Sequence, residues 1–324
     1  MKAKYLTGLA LTLLLAACGT QNPGSSPGLS GQDAQALSEA AAGDLALDGG
    51  LLADARGGSS LQAAALGEGA RNAIGYRLPR RLVHLLNAAG AYLPPAGSGE
   101  CSVTVSPTDY ADADDDGVPA NVTVAFDCAG TRANGTGYTT EGSVTLSDTD
   151  DALPLSGYSA GFTGFRTVLT RDDGTVIDHT FDGSLTLDKR DASLYAIAKD
   201  YSQAVSVTKG ANTYTGSAEF EVEKTYAPEL PDTPWAKGTI TVAQDNPGSL
   251  TWVRGGKTRN LVWYTDPTLH YNRADCASPS RLLNYDAGAK EWVYTRPSGE
   301  QDTLRLEFTG CGQFTVTLNG EAVE

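Results

Sequence analysis

Asp112, Asp114 and Asp116 alternate ahead of Gly117, and no other residues in the chain combine type and spacing so suggestively. Alternate carboxylates of a tight loop can converge on one hard cation, and glycine permits the sharp turn such a loop needs. The Val118 carbonyl follows as a further oxygen ligand, and Asn121 offers another side-chain oxygen. Five acids, Asp109, Asp112, Asp114, Asp115 and Asp116, fall within eight residues and repel one another unless a cation or water screens them. Calcium is the expected cofactor. An acidic, solvated turn between two strands explains the same residues.

Other chemistry finds little support. No G-x-S-x-G elbow, phosphate-binding loop or dinucleotide fingerprint occurs. His84, His179 and His270 are isolated in sequence, and nothing ties any of them to a nucleophile and an acid. Clustered Cys and His at zinc-ligand spacing are absent. Glycosidase chemistry needs only two carboxylates, which 39 acids neither exclude nor support. Trp235, Trp252, Trp263 and Trp292 gather late in the chain, where they would form a sugar-stacking platform or, more commonly, a β core.

Residues 1–17 open with Lys2 and Lys4, continue through an apolar run from Leu6 to Leu15, and end in Ala16-Ala17 before Cys18. The apolar run is too short to span a bilayer, which takes about 20 residues. This Leu-Ala-Ala-Cys ending resembles the signal of bacterial lipoproteins. The resemblance implies cleavage before Cys18, lipidation of the Cys18 thiol, and an exported protein held to a membrane by its lipid. Gly19 rather than Asp after the cysteine implies the outer membrane in an organism that has one. The acidic loop resembles the start of EF-hand and thrombospondin type 3 loops. It departs from the EF-hand at the twelfth position, Thr123, which cannot close a site with two oxygens. That departure implies weak affinity, on the order of 10⁻⁴–10⁻³ M, with closure supplied by Asn121, Asp109 or a group elsewhere.

With Cys18 lipidated, Cys101, Cys128, Cys276 and Cys311 remain, an even number in an oxidising compartment. The simplest of the three connectivities pairs Cys101 with Cys128 and Cys276 with Cys311. Cleavage removes two lysines and no acid, so 22 basic residues face 39 acidic ones, a net charge of −17. Nucleic acid is therefore excluded as a partner. Anionic headgroups repel such a chain, and the acyl anchor must do the holding.

Residues 18–31 carry Gly, Ser, Pro and Asn without apolar period, as in a flexible tether. Ser30 and Asp33 suggest a capping box opening a helix over 33–42 that Gly43 ends. A weaker Ala-rich segment covers 60–66. A second helix starts near Pro79, with Leu82, Leu85, Leu86 and Ala89 on one face and Gly90 as its cap. Residues 32–98 thus form a helical segment. From Cys101 the period becomes two, most clearly where Ala218, Phe220 and Val222 alternate with Glu219, Glu221 and Glu223. Roughly a dozen strands separated by turn signals predict a mainly β fold over 99–324. The expected form is one large antiparallel sheet, as a meander, sandwich or curled half-barrel, with the small helical segment packed on it.

These features point to a non-enzymatic, lipid-anchored envelope lipoprotein that binds a ligand or protein partner, or serves structurally. A helix on a curved sheet would suit an apolar groove, a comparison at fold level only. The alternatives are a carbohydrate-binding module and an envelope hydrolase.

Overall fold

The computed structural model describes residues 28–52, 82, 85–86, 99–131, 135–191, 193–230, 232–254, 256–276 and 284–323. The expected signal, Cys18, nearly all of the tether, the 60–66 segment, His84, Pro79, Ala89 and Gly90 lie outside them. Helix α1 spans Gly31–Leu51. The strands that follow are β1 Gly99–Ser106, β2 Val122–Thr131, β3 Gly137–Asp148, β4 Gly157–Thr170, β5 Val176–Asp191, β6 Leu194–Lys209, β7 Asn212–Pro228 and β8 Lys237–Thr241. Then come β9 Gly248–Arg254, β10 Lys257–Thr265, β11 Leu269–Asn272, β12 Tyr285–Ala287, β13 Ala289–Thr295, β14 Gln301–Gly310, β15 Gln313–Leu318 and β16 Glu321–Ala322.

All 16 strands belong to one antiparallel sheet that is not closed, as the alternation of polar and apolar residues led us to expect. Strands β1 to β7 follow in chain order. The sheet then forks, because β7 pairs with β9 along Gly216–Glu221 and with β8 along Thr225–Pro228. One branch continues through β10, β13, β14, β15 and β16, the other through β8, β11 and β12. Turns fall where Gly, Asn and Asp cluster, including residues 172–174 and 319–320. A bulge between β3 and β4 requires glycine at position 142. Its φ is 112°, and a Cβ there would lie 2.4 Å from the Gly164 carbonyl oxygen. Disulfides join Cys101 to Cys128, opposite each other in the β1–β2 register, and Cys276 to Cys311.

Helix α1 departs from the expected 33–42: it continues past Gly43 to Leu51. Each helical glycine costs about 1 kcal/mol relative to alanine, but burial outweighs this. Ala36, Leu37, Ala40, Ala41, Leu45, Leu47 and Leu51 are all buried, and at 3.6 residues per turn they line one half of the helix circumference. The start follows expectation. Asp33 N–H donates to Ser30 Oγ at 3.2 Å, and Ser30 N–H donates back to Asp33 Oδ2 at 3.0 Å. Leu82, Leu85 and Leu86 are helical and buried, as their spacing predicts.

The partners of α1 show the sheet's curvature. Tyr158 on β4, Lys199 on β6, Lys224 on β7, Arg254 on β9, Arg259 on β10 and Lys290 on β13 all bond to the helix. A flat sheet from β4 to β13 would be roughly 30 Å wide at 4.8 Å per strand, far more than a helix of about 10–12 Å can touch. The sheet must therefore curl around α1. Its inner face presents Phe162, Leu185, Tyr201, Phe220, Trp252 and Trp263, all buried in one core with the helix.

Candidate functional site

The alternating aspartates lie on the connection between β1 and β2, at the end of the sheet where α1 finishes. Two successive Asx turns shape it. Asp114 Oδ1 accepts the Asp116 N–H at 3.1 Å, and Asp116 Oδ1 accepts the Val118 N–H at 2.9 Å. Asp112 Oδ2 accepts the Gly117 N–H at 3.1 Å, closing the loop on the glycine that the pattern requires. Gly117 has φ 86°.

A second acidic loop, between β3 and β4, meets the first. Leu155 N–H donates to Asp116 Oδ2 at 3.1 Å, and Ala113 N–H donates to Asp151 Oδ1 at 3.0 Å. Carboxylate oxygens of Asp112, Asp114 and Asp116 lie within 4.8 Å of one another, as do those of Asp114, Asp148 and Asp151. Asp114 belongs to both groups, so five carboxylates from two loops converge. Asp112 Oδ1 and Asp148 Oδ2 are buried and have no hydrogen-bond partner among the described residues.

The electrostatics follow from that crowding. Burial, then the Asp116 and Asp114 carboxylates, push Asp112 up to about 6. Burial also raises Asp114 and Asp148, with Asp116 adding to both shifts. Of the residues singled out from sequence, Asp112, Asp114 and Asp116 are brought together. Val118 is buried beside them, while Asn121 and Asp109 are exposed. Asp148 and Asp151 were missed because they lie more than thirty residues further along the chain, and no local spacing links them to the first loop.

The four tryptophans are 1–3% exposed and pack in the core, so none offers a stacking face to solvent. His179 is buried, and desolvation pushes it down to about 4. His270 is different: Nε2 bonds Glu229 at 2.8 Å, and Nδ1 bonds Asp286. Burial lowers this histidine, but the two carboxylates prevail and raise it above 6.5. Its contribution to stability is therefore complete below about 6.5 and is lost as pH rises through the raised folded value. We expect the melting temperature to fall over that window, and His270→Gln to flatten the fall. A variant profile parallel to the wild type would show that the histidine is not held between two carboxylates.

Among the described residues no helix is long and apolar enough to cross a membrane. The chain matches no protein-family model, no curated protein and no solved structure.

Proposed function

We propose that the protein is an exported, lipid-anchored, non-enzymatic envelope protein whose working surface is its outside, including a loop end braced by calcium. The observation that carries this reading is the position of α1. The helix fills the concavity that a lipid carrier would keep open, so recognition falls to the outer sheet face and the loops. The lipobox ending at Cys18 supports the anchor. Asp112 Oδ1 and Asp148 Oδ2, buried and without a hydrogen-bond partner among the described residues, support calcium, because a hard cation takes oxygen ligands from flexible loops. Asp112, Asp114 and Asp116 supply ligands from the first loop, with the Val118 carbonyl, and Asp148 or Asp151 takes the closing role that Thr123 cannot.

The test is a melting curve in millimolar calcium against chelator. At a hundred times the dissociation constant, binding stabilises by about 2.7 kcal/mol. Asp114→Ala and Asp148→Ala should each abolish the shift. No calcium-dependent shift in the wild type, with calorimetry also silent, would leave a solvated acidic turn. The pH dependence adds a sign. Because the folded value for Asp112 is raised to about 6, the proton-bound loop is favoured at low pH. In chelator, that contribution should be lost as pH rises from about 4 through 6, and calcium should restore stability above it.

Lipidation is tested separately. Cys18→Ala should leave the protein unprocessed or release it from the membrane fraction. A variant cleaved before residue 18 and still tightly membrane-bound would contradict the anchor.

A further inference from the structure

At the centre of the molecule lies a cluster of charged side chains that neither the anchor nor the acidic loops use. Asp44 and Asp48, one turn apart on α1, meet Lys199, Lys224 and Lys290 from three strands, and all five side chains are 0–1% exposed. The three lysines are not equivalent. Lys199 Nζ has three acceptors: the Asp44 carbonyl at 2.7 Å, Asp44 Oδ1 at 2.6 Å and Asp48 Oδ1 at 2.7 Å. Lys224 Nζ has Asp44 Oδ2 at 3.0 Å and both oxygens of Asp48, at 3.0 and 2.7 Å. The described contacts give Lys290 Nζ one oxygen, Asp44 Oδ2 at 2.7 Å, and otherwise aromatic faces: Trp263 at 3.5 Å and Trp292 at 4.8 Å.

Charge balance separates them in the same way. Two carboxylates neutralise two ammonium ions, and a third buried cation would stand unpaired at high cost. Burial pushes Lys290 down to about 7, whereas Lys199, although buried, is raised by the two carboxylates it touches. The cluster is neutral as two carboxylates, two ammonium ions and one free amine. A desolvated lysine amine next to cationic neighbours is a nucleophile, and this one rests against a carboxyl group.

We propose that Lys290 and Asp44 become joined by an amide bond, Nζ to Cγ, formed within the folded protein and tying α1 covalently to β13. The uncharged amine attacks Asp44 Cγ, and the new C–N bond forms as the C–Oδ1 bond breaks. That oxygen leaves as water, with one proton from the attacking nitrogen and one from the Lys199 ammonium beside Oδ1. Lys199 and Lys224 hold the carboxylate oxygens and offset their charge, which makes the carbon open to attack. Nothing is oxidised or reduced and no co-reactant is consumed. Asp48 and Lys224 remain as an ion pair, with Lys199 as a neutral amine, so the site is neutral before and after. The consequence is mechanical: the helix that leads from the tether cannot be drawn out of the sheet.

Peptide mapping of the full chain by mass spectrometry, after reduction and trypsin digestion, decides the matter. The expected product is a branched peptide carrying Asp44 and Lys290, lighter by one water than its two parts, with no cleavage after Lys290. Lys290→Met should eliminate it. Recovery of both peptides unlinked from folded wild-type protein would overturn the proposal, and this needs no variant to fold. A branched peptide that persists in Lys290→Met, linked through Lys199, would overturn the assignment of the nucleophile.

Discussion

Asp44→Ala should destabilise the fold by about 3–5 kcal/mol, the usual cost of removing one partner from a buried ion network. The Asp44 carboxylate touches Lys199, Lys224 and Lys290, and its environment shows why the loss is large. Desolvation alone would raise its protonation, yet the three lysines hold it well below the ordinary carboxylate value. Without it, Asp48 alone faces the Lys199 and Lys224 ammonium ions and the Lys290 amine in a dry interior, and one of the two ammonium ions must lose its proton or pull water in. Urea unfolding should show a lower midpoint. The double variant Asp44→Ala with Lys290→Met should recover part of the loss, because it removes one of the stranded amines. A single variant as stable as the wild type would mean that the cluster does not form.

Much of this arrangement was legible in the sequence, and the remainder was hidden for identifiable reasons. The strands were visible because each has one wet face and one dry face. Glu219, Glu221 and Glu223 are exposed and Ala218, Phe220 and Val222 are buried, as their alternation requires. The disulfides followed from cysteine count and proximity. The extent of α1 did not, because Gly43 is an ordinary stop signal and Ala, Leu and Gly so dominate residues 40–51 that no distinct apolar stripe can be traced. The central cluster left a signal that a strict period-two reading would have caught. Lys199 falls between Ile197 and Tyr201, Lys224 between Val222 and Tyr226, and Lys290 two before Trp292, each on the apolar phase of its strand. A lysine there needs a buried carboxylate, and Asp44 and Asp48 stand one helical turn apart in the helix that the Ser30–Asp33 capping box opens. What no local pattern carries is which acid from a distant loop completes a site. Asp148 and Asp151 reach the first acidic loop only because β2 and β3 pair and return the chain to the same end of the sheet.

Phe220→Ala should cost about 3–5 kcal/mol, while Glu221→Ala, one residue further along β7, should stay within about 0.5 kcal/mol. Phe220 is 1% exposed and lies in a row of rings that crosses the strands beneath α1. Its ring stacks on Tyr201 at 4.7 Å, and Tyr201 in turn stacks on Phe181 at 5.1 Å. Phe181 meets Phe162 edge-on at 4.9 Å, and on the other side Phe220 stands edge-on to Trp292 at 6.4 Å. Each such pair adds about 0.5–1.5 kcal/mol beyond the area it buries. Deleting Phe220 removes two of these contacts and opens a cavity that α1 cannot fill, because the helix is fixed by Asp33, Asp44 and Asp48. Glu221 points to the opposite face, where water replaces it at little cost. The contrast between adjacent positions is sensitive to register, since a shift of one residue would exchange the two effects. Equal losses at both positions would mean that β7 is not held as a two-faced strand against Tyr201 and Trp292.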